Sequence, residues 1–219
     1  MIVGRRAVEL IAERRTDEIV VTTMSSARDW PGVSRRPELD LPLLGCMGKA
    51  SSIGLGIALG RPDRRVIVLD GDGSLLMNLG SLVTIAGMAP RNLLHVVLEG
   101  RTYDTSGGQP TPGEGRADLA GLARAAGYRS ARTIDDEATL AARLPELLRS
   151  EGPAFLCLQV DSMWASGSMP AGGTKQAWPI VAGALAGGEA PAAPVRSAQV
   201  ISSPHPSPLP GGEGPVLSP

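Results

Sequence analysis

Short apolar runs, rich in leucine and β-branched residues, alternate along most of this chain with stretches of helical periodicity, and that alternation narrows the folds open to it. "EIVVTT" (18–23), "RRVIVLD" (64–70), "NLLHVVL" (92–98), residues 130–134 and "AFLCLQV" (154–160) read as five strands. Between them lie segments with helical patterns. Ala7, Leu10 and Ile11 share one face of a surface helix over 5–15, and "GCMGKASSIGLGIALGRPD" (45–63) carries the small residues of a closely packed helix. Further helices are predicted over 74–90, which ends at Pro90, over 116–128 and over 135–150. Continuous apolar strands separated by helices imply right-handed crossovers and an α/β fold, a single doubly wound parallel-sheet domain. In such a sheet the ligand site lies at the carboxyl ends of the strands. Two loops emerge there, the Asp70–Ser74 turn and the Gly/Pro-rich segment 99–115, while residues 25–42, with three prolines, read as a third long loop.

The chain of 219 residues suits one core, drawn over 1–162. A weakly structured segment follows at 163–186, where Pro179 interrupts a possible short helix, and residues 187–219 are so rich in Pro, Gly and Ser that a disordered tail is expected. A net charge of −1 argues against nucleic acid or an anionic membrane as partner. Two cysteines, Cys46 and Cys157, lie too far apart for a CxxC zinc site, and neither a signal peptide nor an apolar run of membrane-spanning length is visible, so a cytoplasmic protein is expected.

Chemistry concentrates in "VIVLDGDGSLL" (66–76), a buried strand running into two acids separated by single glycines. As a calcium loop it fails, because the sixth and twelfth positions are Leu75 and Ser81 instead of glycine and an acid. A Gly-rich turn with Asp72 or Ser74 capping the next helix would explain it without function. A diphosphate and metal site would explain it with one. The glycines admit a phosphate close to the backbone, the following helix offers free N–H groups, Asp72 supplies a hard oxygen to Mg²⁺ and Ser74 donates to a phosphate oxygen. Asp70 then reads as a strand-end cap. Other motifs fall away. "GLGIALG" has glycines at 54, 56 and 60, one residue too far apart for GxGxxG and in helical context, and no Walker or HExxH motif is present. His95 sits inside a strand and reads as a packed core histidine, and His205 lies in the tail, so Ser-His-Asp and Cys-His mechanisms lack support.

Taken together, "GDGS", "LEGRTY", the upstream "LLGCMGKASSIGLGIAL" and the downstream "TSGGQPT" resemble the cofactor signature of thiamine diphosphate enzymes. The pattern is most similar to the diphosphate-binding half of the sulfopyruvate and phosphonopyruvate decarboxylases, including the separate β subunit of the former, over roughly residues 4–160. The resemblance implies thiamine diphosphate and Mg²⁺ as cofactors. It implies that Asp72 ligates the metal, that Ser74 and the Gly73 backbone hold the diphosphate, that the Gly45 carbonyl meets the aminopyrimidine, and that Met47 supports the bend of the cofactor. Thr23 would reach the diphosphate, Thr102 would lend a backbone carbonyl to the metal, and Tyr103 belongs to the same loop. The activity implied is decarboxylation of a small 2-oxoacid, 3-sulfopyruvate or 3-phosphonopyruvate, to an aldehyde. Its anionic group would call for basic residues, for which Arg28, Arg35, Arg36 and Arg101 are available, although a solvated surface explains them equally well.

The chain departs from the family at one position. Members typically read Asp-Asn-Gly before the tyrosine, the asparagine being a metal ligand, whereas this chain reads Glu99-Gly100-Arg101. Gly100 therefore stands in the metal site without a side chain. Water can fill the place, Glu99 can swing in, or cofactor binding is impaired and the chain is a paralogue that serves as a binding or structural partner. The family's activating glutamate belongs to a pyrimidine-binding domain that a single-domain chain has no room for, which implies a hetero-oligomer with a pyrimidine-domain (α) subunit.

Overall fold

The structure, a computed structural model, describes residues 1–161 and 173–186. The predicted tail at 187–219 and residues 162–172 lie outside the described residues. In chain order the elements are α1 (Gly4–Arg14), β1 (Ile19–Thr23), α2 (Ser25–Asp29), β2 (Asp40–Leu43), α3 (Ala50–Gly60), β3 (Val66–Gly71), α4 (Asp72–Leu76) and α5 (Ser81–Met88). They continue with β4 (Leu93–Glu99), β5 (Thr102–Tyr103), β6 (Gln109–Pro110), α6 (Leu119–Ala126), β7 (Ser130–Ile134), α7 (Glu137–Leu147), β8 (Ala154–Gln159) and α8 (Gly173–Leu185). Six strands form one parallel sheet in the order β2-β1-β3-β4-β8-β7, and β5 and β6 make a small antiparallel ribbon beside it.

Alternate residues of the buried strands feed two cores. Val20, Ile67, Leu69, Val96 and Leu156 pack under α1 and α7. Val21, Val66, Val68, Val97 and Phe155 pack under α3, α5 and α6. The five predicted strands and the doubly wound class are as the sequence implied. The order places β1 at the switch between the two directions of winding, where an open α/β sheet forms its crevice.

Three local expectations are corrected. Residues 40–42, taken as the end of a loop, belong with Leu43 to edge strand β2, with Pro42 opposite Thr22. An edge strand tolerates the missing N–H, and the exposed edge is covered by Thr174 of α8, whose hydroxyl donates to the Pro42 carbonyl (2.7 Å) and accepts from the Leu44 N–H (3.0 Å). The helix predicted over 74–90 is split into α4 and α5. Asn78 sits at the break, its side-chain amide donating to the Gly48 carbonyl at 2.9 Å instead of pointing into water. Finally, α8 runs through Pro179 without ending there. Docking on β2 through Thr174 and buried Val181 offsets the one backbone bond that proline removes.

Candidate functional site

At the carboxyl ends of β1, β3 and β4 lies a narrow cleft. Its walls include Thr23, Met47, Asp72, Gly73, Ser74, Gly100, Thr102 and Tyr103, which are eight of the nine residues singled out from the sequence. The ninth, Gly45, is not part of the lining; it has φ +72° in the turn that leads to Met47. Cleft residues that the sequence reading passed over include Ser26 and Leu98, and Asp70, read there as a strand-end cap, also lines the cleft.

Each wall is built locally. β1 ends at Thr23, which is buried and whose hydroxyl has no hydrogen-bond partner among the described residues. Three residues on, the Ser26 hydroxyl accepts the Thr23 N–H (3.1 Å) and donates to the Leu69 carbonyl (2.8 Å), tying the end of β1 to that of β3. After β3, Gly71 turns the chain and Asp72 opens α4. The Asp72 carboxylate accepts the Gly73 N–H on Oδ1 (2.8 Å) and the Arg101 N–H on Oδ2 (2.7 Å), with the Thr111 hydroxyl 3.3 Å away. Burial raises its pKa to about 6; the bonds from Gly73, Arg101 and Thr111 act downward, and the charge of Glu99 upward. Ser74 accepts the Gly48 N–H at 2.9 Å and keeps its own proton to donate. The Tyr103 ring lies flush on Gly73, where a Cβ would overlap it, so only glycine allows this wall to close. Thr111, missed as a site residue, ends the same "TSGGQPT" motif that drew attention to this loop.

The loop after β4 shows what the departure at Gly100 does. Gly100 has no need of a positive φ, whereas Arg101 next to it has φ +63°. The left-handed conformation thus falls on an arginine, at a cost of roughly 1–2 kcal/mol. Glu99 does not turn into the cleft. It is buried on the opposite side, where Oε2 accepts from Gln159 Nε2 (3.1 Å) and from Cys157 Sγ (3.4 Å), and Oε1 lies 3.8 Å from Arg101 Nε. Burial and this carboxylate push the Cys157 thiol pKa up. None of Arg28, Arg35, Arg36 and Arg101 lines the cleft, and Arg36 is held by Glu38 at 2.5 Å.

The cleft joins two buried carboxylates, Asp70 and Asp72, two hydroxyls with bonding capacity to spare and the apolar side chains of Met47 and Leu98. No cluster of three or more His, Cys, Asp or Glu side chains suited to a metal occurs among the described residues. A cation held here would take one carboxylate from this chain and complete its shell with backbone carbonyls, water or an anionic ligand.

A family profile described as "Thiamine pyrophosphate enzyme, C-terminal TPP binding domain" matches residues 22–158. The chain is 41% identical over 150 residues to the sulfopyruvate decarboxylase β subunit of Methanothermobacter thermautotrophicus, covering 68% of this chain and 77% of that subunit. It is 40% identical over 152 residues to phosphonopyruvate decarboxylase of Streptomyces viridochromogenes, covering 69% of this chain but only 38% of that enzyme. Among solved structures, benzoylformate decarboxylase from Polynucleobacter necessarius superposes with a TM-score of 0.63 at 19% identity, over 75% of this chain and 34% of that one, a likeness of fold alone. The chain belongs to the thiamine pyrophosphate enzyme family, through its C-terminal TPP-binding domain.

Proposed function

We propose that this chain is the diphosphate-binding β subunit of a cytoplasmic, two-component thiamine diphosphate- and Mg²⁺-dependent decarboxylase, acting on 3-sulfopyruvate or 3-phosphonopyruvate to give CO₂ and an aldehyde. The observation that carries the reading is the convergence of Thr23, Met47, Asp72, Gly73, Ser74, Thr102 and Tyr103 on one cleft at the switch of the sheet. The residues fit the group. Thr23 has an orphaned buried hydroxyl and Ser74 an unused proton, which suits phosphate oxygens, and the carboxylate of Asp72 suits a hard cation. Bound thiamine diphosphate supplies the electron sink that loss of CO₂ from a 2-oxoacid requires. The chain's own part is to bind and orient. Asp72 with the Thr102 carbonyl holds Mg²⁺, Ser74, Gly73 and Thr23 hold the diphosphate, Gly45 and Met47 set the pyrimidine end, and Leu98 and Tyr103 exclude water.

A pyrimidine-domain α subunit supplies what the cleft lacks. No glutamate lines it among the described residues, so the activating carboxylate belongs to the partner. The surface for that partner is the outer face of α3 and α5, which exposes Leu59, Val83 and Met88 and carries no charged residue. Three relatives are named as β subunits, which agrees with this arrangement.

Gly100 favours a second reading, a cofactor-impaired paralogue that acts as a binding partner. Even loss of a group that only supports a metal ligand costs about 10- to 100-fold in affinity or activity. Thermal-shift titration of the full chain with its α subunit separates the two. Stabilisation that needs both Mg²⁺ and thiamine diphosphate supports the enzyme; none at millimolar ligand, with the partner demonstrably bound, leaves the paralogue. A Gly100→Asn, Arg101→Gly double variant that tightens Mg²⁺ identifies the departure as the defect.

A further inference from the structure

From the cleft wall at Asp70 into the core run three polar side chains that the proposed reaction does not use. Asp70, His95 and Tyr128 are 1%, 0% and 5% exposed. Val68 of β3 pairs with His95 of β4, so Asp70, two residues further on, projects to the same face of the sheet as the imidazole. His95 Nε2 lies 3.5 Å from Asp70 Oδ2, and Nδ1 lies 3.2 Å from the Tyr128 hydroxyl. Neither Asp70 Oδ2 nor His95 Nε2 makes a hydrogen bond among the described residues, and the 3.5 Å between them is an electrostatic contact longer than a formed hydrogen bond. Phe155, the one phenylalanine in the chain, packs edge-on against both rings, with centroids 5.2 Å from His95 and 5.7 Å from Tyr128.

The chemistry of these groups gives the line a direction. A carboxylate only accepts, so Nε2 carries the proton that faces Asp70; Nδ1 is then the acceptor, and the Tyr128 hydroxyl donates to it. The other oxygen of Asp70 accepts the Gly71 N–H at 3.0 Å. The orientation of the imidazole is thereby passed to the Asp70–Gly71 peptide, one peptide unit ahead of the one that leads into Asp72. Apolar residues would fill this volume at lower cost, because a buried polar chain that is only partly satisfied is expensive to keep.

We propose that His95 is a positioning residue for the cation site: braced by the Tyr128 hydroxyl and Phe155, it fixes the Asp70 carboxylate, which through the Gly71 N–H holds the turn that aims Asp72 into the cleft. The inference rests on the reading of Asp72 as the Mg²⁺ ligand. His95→Gln retains one donor and one acceptor, His95→Leu retains only bulk, and Tyr128→Phe deletes a single oxygen should the leucine variant fail to fold.

Two measurements on the full chain decide the matter. Amide hydrogen exchange, read by NMR without cofactor, is expected to show the Gly71 N–H at least about 10-fold less protected in His95→Leu and Tyr128→Phe, with His95→Gln close to wild type. In thermal-shift titrations with the α subunit and thiamine diphosphate, the Mg²⁺ concentration for half-maximal stabilisation should rise about 10-fold in His95→Leu and be restored in His95→Gln. Unchanged Gly71 protection in Tyr128→Phe and His95→Leu, or a leucine variant with wild-type Mg²⁺ dependence, overturns the role of His95. A wild-type protein that ignores Mg²⁺ overturns the cofactor reading instead, and Gly71 exchange still decides whether His95 holds the turn.

Discussion

The two faces of the sheet are dressed differently. On one, α1 and α7 turn their charges outward: Arg6 bonds Glu9 (3.3 Å) and Glu13 (2.9 Å) on its own helix and Glu137 of α7 (2.8 Å), and Arg143 pairs with Glu146 (3.0 Å). On the other, neither Ala50–Gly60 nor Gly73–Pro90 contains a charged residue, although the chain as a whole is 20% Asp, Glu, Lys and Arg. Val83 on α5 is nonetheless 65% exposed. Solvated helices are normally laced with charge. The contrast fits α1 and α7 facing water and accords with the proposal that α3 and α5 meet the partner subunit. The cleft lies beside these two helices, where the Gly48 N–H donates to the Ser74 hydroxyl and the Gly48 carbonyl accepts from the Asn78 side-chain amide.

The harshest test of that contrast places a charge on the uncharged face. Val83→Arg should weaken association with the α subunit by about 1,000-fold, close to 4 kcal/mol, because an unpaired charge would be buried. The variant should keep its fold, since Val83 already lies in water in the separate chain. Sedimentation with the purified partner reads the change. An association unaffected by the arginine would mean that the contact lies elsewhere.

A pH titration separates the two carboxylate environments. Asp72 has its pKa raised to about 6, mainly by burial, so its protonated form favours the fold. That contribution is fully present below the unfolded value of 3.8 and is lost as pH rises through about 6. The shift of about two units corresponds to about 3 kcal/mol. Glu9, on the charged face, runs the other way: hydrogen bonds from Arg5 and Arg6 lower its pKa, and its contribution is lost as pH falls through that lowered value. Without Mg²⁺, Asp72→Asn should therefore stabilise the chain near neutral pH and lose that advantage by about pH 4. With Mg²⁺ and thiamine diphosphate the ranking reverses, because the cation needs the carboxylate. Melting temperatures of the two proteins across pH, with and without ligands, check the sign.

Much of this was legible in the sequence, and the failures have physical causes. Continuous apolar strands announced themselves because burial on both faces leaves them no polar positions, as in Val66–Leu69. Edge strand β2 did not, because Pro42 is a breaker only where a ladder bond is needed. The split at Asn78 depends on a carbonyl thirty residues away, at Gly48, which no local pattern reveals. The cleft was legible as a motif, since glycines and acids at fixed spacing are conspicuous, yet the motif hid the orientation of its parts. The strand pleat already pointed Glu99 away from the metal position, but the left-handed turn that carries Arg101 off beside it was not visible in the sequence. His95 read as core and is core; its bond to Tyr128 joins residues 33 positions apart and appears only once the chain is folded.

Packing also distinguishes the inner and outer parts of the uncharged layer. A Cβ at Gly73 would overlap the Tyr103 ring and come within 3.3 Å of Thr111 Cγ2, whereas one at Gly80 or Gly87 would meet nothing within 4 Å. Gly73→Ala should cost about 1–3 kcal/mol and displace Tyr103 from the cleft wall. Gly87→Ala, in the interior of α5, should stabilise the isolated chain by up to about 1 kcal/mol through helix propensity. Chemical denaturation measures both. Equal costs at the two positions would mean that the cleft wall is as loose as the surface.

The smallest effect belongs to the mirror image of the first substitution. Ala142 is exposed on α7, with Arg143 beside it and Glu146 one turn on, so Ala142→Arg adds a charge where charge is already solvated. Its stability should change by no more than about 0.5 kcal/mol, because an exposed helical arginine gains and loses little. Its affinity for the α subunit should not change at all. The same residue type introduced on two helices of one sheet thus reads out what each face meets. If Ala142→Arg disrupted assembly as Val83→Arg is expected to, the charged face would also be an interface, and the ion pairs that join α1 to α7 would have to be understood as buried ones.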